Sequence, residues 1–212
     1  RSTLFPYTTL FRSTNLGAGD HSSAEAHESE TAHDHEHEGD GATLDPHFWL
    51  DPQRMVSAAN AIEAALSKAD PDNAADYKAN LATLTTTLEG LDTSYSTGLA
   101  QCQRTTFVTS HAAFGYMAER YGLTQTSISG IDPDSEPSPA DLAAVKQVVQ
   151  DTGTTTIFTE ELVSPETAEA LASETGASTA VLNPIESAPE GSDYAGAMTT
   201  NLQELRTALS CQ

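Results

Sequence analysis

From residue 105 to residue 209, short β-rich runs alternate with stretches of helical pattern, and that alternation admits few folds. The runs are 105–109, 125–129, 154–159 and 178–182, rich in Thr, Val, Ile and Phe. Between and after them, apolar residues recur at helical spacing over 112–121, 139–151, 165–176 and 193–209. Strand followed by helix, repeated through the chain, is the pattern of a parallel sheet with helices on its faces. The expected class is therefore α/β. In open parallel sheets ligands bind beyond the carboxyl ends of the strands, so the residues after each run are where function should be sought.

Upstream of the first run, two longer helices are expected over 52–69 and 71–101. Four helix starts share one device, an Asp or Ser directly before a proline: Asp51-Pro52, Asp70-Pro71, Ser138-Pro139 and Ser164-Pro165. The side-chain oxygen can accept from an orphan amide of the first turn, and Pro at the first helical position gives up no needed donor. In the second helix Tyr77, Leu81, Leu84, Leu88, Leu91 and Tyr95 alternate steps of four and three. That spacing predicts one sustained apolar seam. Thirty-one helical residues would reach about 45 Å.

The first 43 residues read differently. Residues 1–13 hold two of the nine basic residues, no acid and no clear period, and are set apart from the fold as a non-native-looking segment. Residues 20–40 carry eight acidic residues and five histidines, His21, His27, His33, His35 and His37, with no basic or large apolar residue. Such a stretch cannot bury enough surface to offset its ordering entropy, so 14–43 is expected to be a disordered, metal-attracting loop. A solvated acidic linker with incidental histidines is the plainer reading. The density of histidine, five of seven in the chain, argues against it.

The whole chain of 212 residues has 31 Asp and Glu against 9 Lys and Arg, a formal charge of −22. This argues against partners that need a basic face, namely nucleic acid or an anionic membrane surface, and fits a cation-binding role. No apolar run approaches the 18 residues of a membrane span. The sequence shows neither an initiator Met nor a signal peptide, and it is expected to begin inside a longer protein. Cys102 and Cys211 have no CxxC spacing, which excludes a cysteine zinc finger or a thioredoxin-like pair. Two buried free thiols or one long-range disulfide remain. The penultimate position of Cys211, hard to bury by packing alone, favours the bridge and with it an oxidising, extracytoplasmic location.

The residues after the predicted strands could hold a metal. Ser110-His111 follows the first, Glu160-Glu161 the third, and Asn183-Pro184-Ile185-Glu186 the fourth. His47 lies in Asp45-Pro46-His47-Phe48-Trp49-Leu50-Asp51-Pro52, where two prolines stiffen the chain and three large apolar residues can anchor it. Imidazole with carboxylate suits a borderline cation such as zinc. A single such histidine is more often structural. The joint placement, downstream of a histidine-rich stretch, favours ligation.

DPHFWLDP, FVTSHAAFGYMAERYGL, SGIDPDSEPSPADLAAV, IFTEELVSPETAEALASETG and VLNPIE, in that order over about 45–210, resemble the zinc-type (ZnuA/TroA-like) solute-binding proteins of ABC metal importers. The acidic histidine-rich insertion before the DPH segment is similar to that of zinc-specific members. The resemblance implies two α/β lobes joined by a long rigid helix, with the metal between the lobes. On that plan 44–70 would end the first lobe, 71–101 would be the linking helix and 102–212 the second lobe. His47 and His111 match histidine ligands of the family, and a further first-lobe histidine has no counterpart here. Where the family often places an aspartate after the last strand this chain has Asn183, so water, Glu186 or Glu160 would complete the coordination. The stretch 136–139 would line the cleft, a turn and helix cap being its simpler role.

Three function classes follow. The first is extracytoplasmic, high-affinity capture of Zn²⁺ and delivery to the membrane permease of an ABC importer, by a monomer that is not an enzyme. A manganese-specific protein of the same fold is its variant. The second is a zinc hydrolase, disfavoured because the sequence has no HExxH, no G-x-S-x-G and no glycine-rich phosphate loop. The third is a metal-buffering or adhesive surface protein.

Overall fold

The computed structural model describes residues 44–161 and 163–212. The expectations for 1–13 and 14–43, including His21, His27, His33, His35 and His37, lie outside the described residues. Ten regular elements follow one another: α1 (Pro52–Ala69), α2 (Ala74–Gly98), β1 (Thr106–Thr109), α3 (Gly115–Tyr121), β2 (Thr124–Ser127), α4 (Pro139–Thr152), β3 (Thr156–Thr159), α5 (Glu166–Thr175), β4 (Ser178–Val181) and α6 (Tyr194–Leu209). Single 3₁₀ turns precede α1 and α2, at Phe48–Leu50 and Pro71–Asn73.

The four strands form one parallel sheet in the order β2-β1-β3-β4. Side chains alternate across it, as the two-residue period of a strand requires. Phe107 and Phe158 face a core shared with Tyr95 of α2, Phe114 and Met117 beside and within α3, and Met198 and Leu205 of α6. Val108 and Ile157 face the opposite side, where Val145 and Val149 of α4 meet Leu171 and Ala172 of α5. Helices thus cover both faces, and the two central strands, β1 and β3, each supply both cores. The α/β class with a parallel sheet is the one the alternation predicted.

The helix starts divide by capping chemistry. Asp51 accepts from the amides of Gln53 (2.8 Å) and Arg54 (3.4 Å). Ser138 and Asp141 form a reciprocal capping box on α4. Asp70 and Ser164 do not cap. The Asp70 carboxylate is occupied by the Asn73 amide (2.8 Å) and the Tyr77 hydroxyl (2.9 Å), so the chain makes a 3₁₀ turn and α2 begins three residues later than expected. Helix α5 starts after Pro165 with no side-chain cap.

Helix α2 also stops earlier than expected, at Gly98, before the chain turns into Cys102. Its seam is buried only in the C-terminal half: Leu88, Leu91 and Tyr95 are buried, while Leu84 is 42 % exposed. Ile62 and Leu66 of α1 are likewise exposed. Cys102 and Cys211 form a disulfide. Beside it Gln103 N–H donates to the Leu209 carbonyl (3.1 Å), and Arg104 donates to the Gly153 carbonyl and the Ser210 hydroxyl (2.7 Å each). Among the described residues no helix is long and apolar enough to cross a membrane.

Candidate metal centre

The carboxyl ends of β1, β3 and β4 each deliver one or more polar residues to the same edge of the sheet, as expected for this topology. His111 leaves β1 fully buried, and its backbone is held on both sides. Its carbonyl accepts from the Thr109 hydroxyl (2.7 Å) and the Gln125 amide (3.0 Å), and its N–H donates to Glu160 Oε1 (3.1 Å). The other oxygen of Glu160, just past β3, lies 2.6 Å from His111 Nδ1. The ring is therefore fixed with Nε2 turned toward the remaining groups.

Glu186 comes from the turn after β4. Its Oε1 lies 3.3 Å from His111 Nε2 and 3.1 Å from His47 Nε2. His47 is 2 % exposed, and its ring stands edge-on to that of His111 at a centroid distance of 5.3 Å. Two contacts tie the His47 segment to the strand ends: Trp49 Nε1 donates to the Pro184 carbonyl (2.8 Å), and the Tyr194 hydroxyl donates to the Trp49 carbonyl (2.6 Å). The predicted anchoring role of the aromatic residues thus has specific partners.

One donor atom each from His47, His111 and Glu186 lie within 4.8 Å of one another. A tetrahedral zinc site with bonds of about 2.0–2.1 Å has donor–donor edges of roughly 3.3–3.4 Å. The two separations from Glu186 Oε1, 3.1 and 3.3 Å, lie close to those edges. Both buried ring nitrogens of His111 face a carboxylate oxygen without a well-aligned hydrogen bond among the described residues, Nδ1 toward Glu160 and Nε2 toward Glu186. A cation between the three groups would satisfy all of them. Two imidazoles and one carboxylate suit a borderline divalent ion.

Burial pushes the His111 pKa down, but the carboxylates of Glu160 and then Glu186 outweigh it, so the net shift is above the ordinary imidazole value. A proton bridging nitrogen and oxygen is thus the competitor any metal must displace.

The other predicted site residues are placed as follows. Glu160 stands behind His111, on the nitrogen opposite the one facing Glu186. Asn183 is not in the trio: its Oδ1 accepts from Ile185 N–H (2.7 Å) and its Nδ2 donates to Glu161 (3.2 Å). Residues 136–139 lead into the α4 capping box. Sequence reasoning did not single out Asn201, which is 2 % exposed and grips the backbone of Asn183. Its signal was present. It is an amide on the buried stripe of α6, among Ala197, Met198, Leu202 and Leu205.

The chain matches the family description "Zinc-uptake complex component A periplasmic" (ZnuA) over residues 10–208. It is 43 % identical over 174 residues to "Zinc-binding protein AdcA" of Streptococcus pyogenes, which covers 80 % of this chain and 34 % of AdcA. To "High-affinity zinc uptake system protein ZnuA" of Bacillus subtilis it is 40 % identical over 171 residues, covering 78 % of this chain and 54 % of that protein. The crystal structure of the laminin-binding protein Lbp of Streptococcus pyogenes superposes with a TM-score of 0.75 at 38 % identity, covering 78 % of this chain and 65 % of that one. The chain thus spans about a third of the length of AdcA and about two thirds of Lbp. Family match, fold and the order of the motifs agree: this chain belongs to the ZnuA family of zinc-uptake complex component A proteins.

Proposed function

We propose that this chain captures Zn²⁺ outside the cytoplasm with His47, His111 and Glu186 and passes it to the membrane permease of an ABC importer. The observation that carries this reading is the trio of donor atoms within 4.8 Å of one another, with Glu186 Oε1 3.1 and 3.3 Å from the two imidazole nitrogens, close to tetrahedral-edge separations. The zinc-binding and zinc-uptake names of the relatives support the ion and the role. The Cys102–Cys211 disulfide supports an oxidising compartment.

Capture proceeds without bond-breaking chemistry on the ion. The strongly negative chain draws cations toward it, and the histidines of 20–40 raise the local metal concentration. At the trio, His111 gives up its Nε2 proton while Glu160 keeps hold of Nδ1, which orients the ring and strengthens it as a donor. Glu186 supplies the negative charge. With one carboxylate and two imidazoles the set favours zinc over manganese, which prefers more oxygen donors. We read 44–70 as the end of a first lobe, 71–101 as the linking segment and 102–212 as the second lobe. The exposed apolar residues Ile62, Leu66 and Leu84 on α1 and α2 support that division.

The test is zinc competition against a chromophoric chelator, comparing the wild type with His111→Ala and Glu186→Gln. The tightest class of sites should weaken at least about 100-fold in His111→Ala, since a direct bond is lost, while weaker sites remain. Equal affinity of the tightest class in all three proteins would sink the assignment. A surface-adhesive role is a second reading, favoured by the laminin-binding name of Lbp. Adhesion to immobilised laminin that persists in His111→Ala would separate that role from metal capture.

A further inference from the structure

Glu186 reaches the two imidazoles through a backbone bend that its own sequence disfavours. Ile185, the residue before it, has φ +56°, a left-handed conformation that a β-branched side chain rarely adopts. Such a conformation persists only where its surroundings over-determine it. Here they do. Asn201 of α6 accepts from Asn183 N–H through Oδ1 (2.9 Å) and donates to the Asn183 carbonyl through Nδ2 (2.7 Å). Pro184 has a fixed φ, and its carbonyl is held by Trp49. The Ile185 N–H is held by the Asn183 side chain. Of these clamps only Asn201 comes from a helix of the core, and at 2 % exposure it has no competing water.

We infer that Asn201 is the positioning residue for the metal site: its amide locks the peptide of Asn183 and thereby sustains the bend at Ile185 that sets the Glu186 carboxylate between His47 and His111. This rests on the reading of those three residues as the metal-holding trio. An amide suits the task because it presents one donor and one acceptor side by side. Leu has the same branching at Cγ and neither group. The stripe around Asn201 is apolar, so an amide there serves something other than hydrophobic packing.

The experiment measures Zn²⁺ affinity of the full chain by chelator competition in the wild type, Asn201→Leu, Asn201→Ser, Glu186→Gln and the double variant Asn201→Leu/Glu186→Gln. Co²⁺ absorption of the loaded proteins and thermal unfolding of the metal-free proteins run alongside. Removal of an outer partner that orients a ligand lowers metal affinity by about 10–100-fold. Asn201→Leu should show that loss with an altered Co²⁺ spectrum, whereas in the Glu186→Gln background the same change should cost little, because the carboxylate it positions is gone. Asn201→Ser, which keeps a hydroxyl able to bond one backbone group, should fall between, and it carries the test if the Leu variant does not fold. Ile185→Gly, which adopts the bend freely, should recover part of the affinity lost in either Asn201 variant.

Wild-type affinity and spectrum in the Asn201 variants would overturn the inference, as would equal losses with and without the Glu186 carboxylate, the mark of a purely structural role. Failure of the underlying reading looks different. The wild type and Glu186→Gln would then bind Zn²⁺ alike and give the same Co²⁺ spectrum.

Discussion

His111 sits between two carboxylates, Glu160 on Nδ1 and Glu186 on Nε2, and the consequences for stability and for metal capture have opposite signs. Although burial alone would lower its pKa, the two carboxylates raise it above the ordinary imidazole value near 6.5. In the metal-free protein the protonated ring contributes stability that is fully present below the unfolded pKa and is lost as pH rises through the raised folded value. Metal capture needs the proton gone, so affinity climbs over the same window. Glu160→Gln keeps the shape and removes the charge. The pH profile of zinc binding should then shift to lower pH, with affinity at pH 7.5 down about 10–100-fold. The melting-temperature difference between metal-free wild type and variant should shrink as pH rises through the wild-type pKa. A zinc-binding profile that stays put would show that Glu160 does not set the proton affinity of His111. His47, His111, Glu160 and Glu186 could be named from the sequence because each follows a recognisable strand or stiff segment. The bond pattern of Asn183 could not, since it depends on Asn201, a partner 18 residues away on another element.

Among elements, the two Ser-Pro helix starts look alike in sequence and differ in structure. Ser138 accepts from Asp141 N–H while the Asp141 carboxylate accepts in return from Ser138 N–H, completing a capping box. Ser164 is exposed, and Pro165 rather than Ser164 stands at the start of α5, with no side-chain cap. Local sequence could propose both caps. Which forms depends on the path by which the preceding loop enters the helix, and that path is set by tertiary packing. The same reason explains Asp70, whose carboxylate is captured by Asn73 and Tyr77. Ser138→Ala should therefore destabilise the protein by about 1 kcal/mol, within the usual range for a lost cap. Ser164→Ala should be close to neutral. Denaturant unfolding of the pair decides, and equal losses would contradict the distinction. Elsewhere the local signals sufficed: among the described residues, the Asp-Pro and Ser-Pro starts with the 3.6-residue pattern located the six helices to within about three residues at each end, and the β-rich runs located the four strands to within about two.

At the scale of the whole molecule, the disulfide and the candidate metal centre occupy opposite ends of the sheet. Cys102 lies before the amino end of β1 and joins Cys211 after α6, whereas His111, Glu160 and Glu186 follow the carboxyl ends of β1, β3 and β4. A bridge spanning 109 positions removes much of the freedom of the unfolded chain. On chain-entropy grounds it stabilises by about 4–5 kcal/mol. For a folded unit of this size that corresponds to roughly 10–20 °C in melting temperature. The native neighbourhood of the bridge is held independently by Gln103 and by Arg104, whose hydrogen bonds to Leu209, Gly153 and Ser210 need no sulfur. Losing the bridge should therefore lower stability without opening the folded structure. Strand β1 and the core it shares with α2 and α6 then hold His111 in place, and zinc affinity at temperatures below the transition should stay within about twofold of wild type. The double variant Cys102→Ser/Cys211→Ser and the reduced wild type provide the comparison, by calorimetric melting and zinc competition on the same samples. An unchanged melting temperature would mean that the bridge constrains little. A large loss of zinc affinity at 20 °C would mean instead that the two ends of the sheet are mechanically coupled.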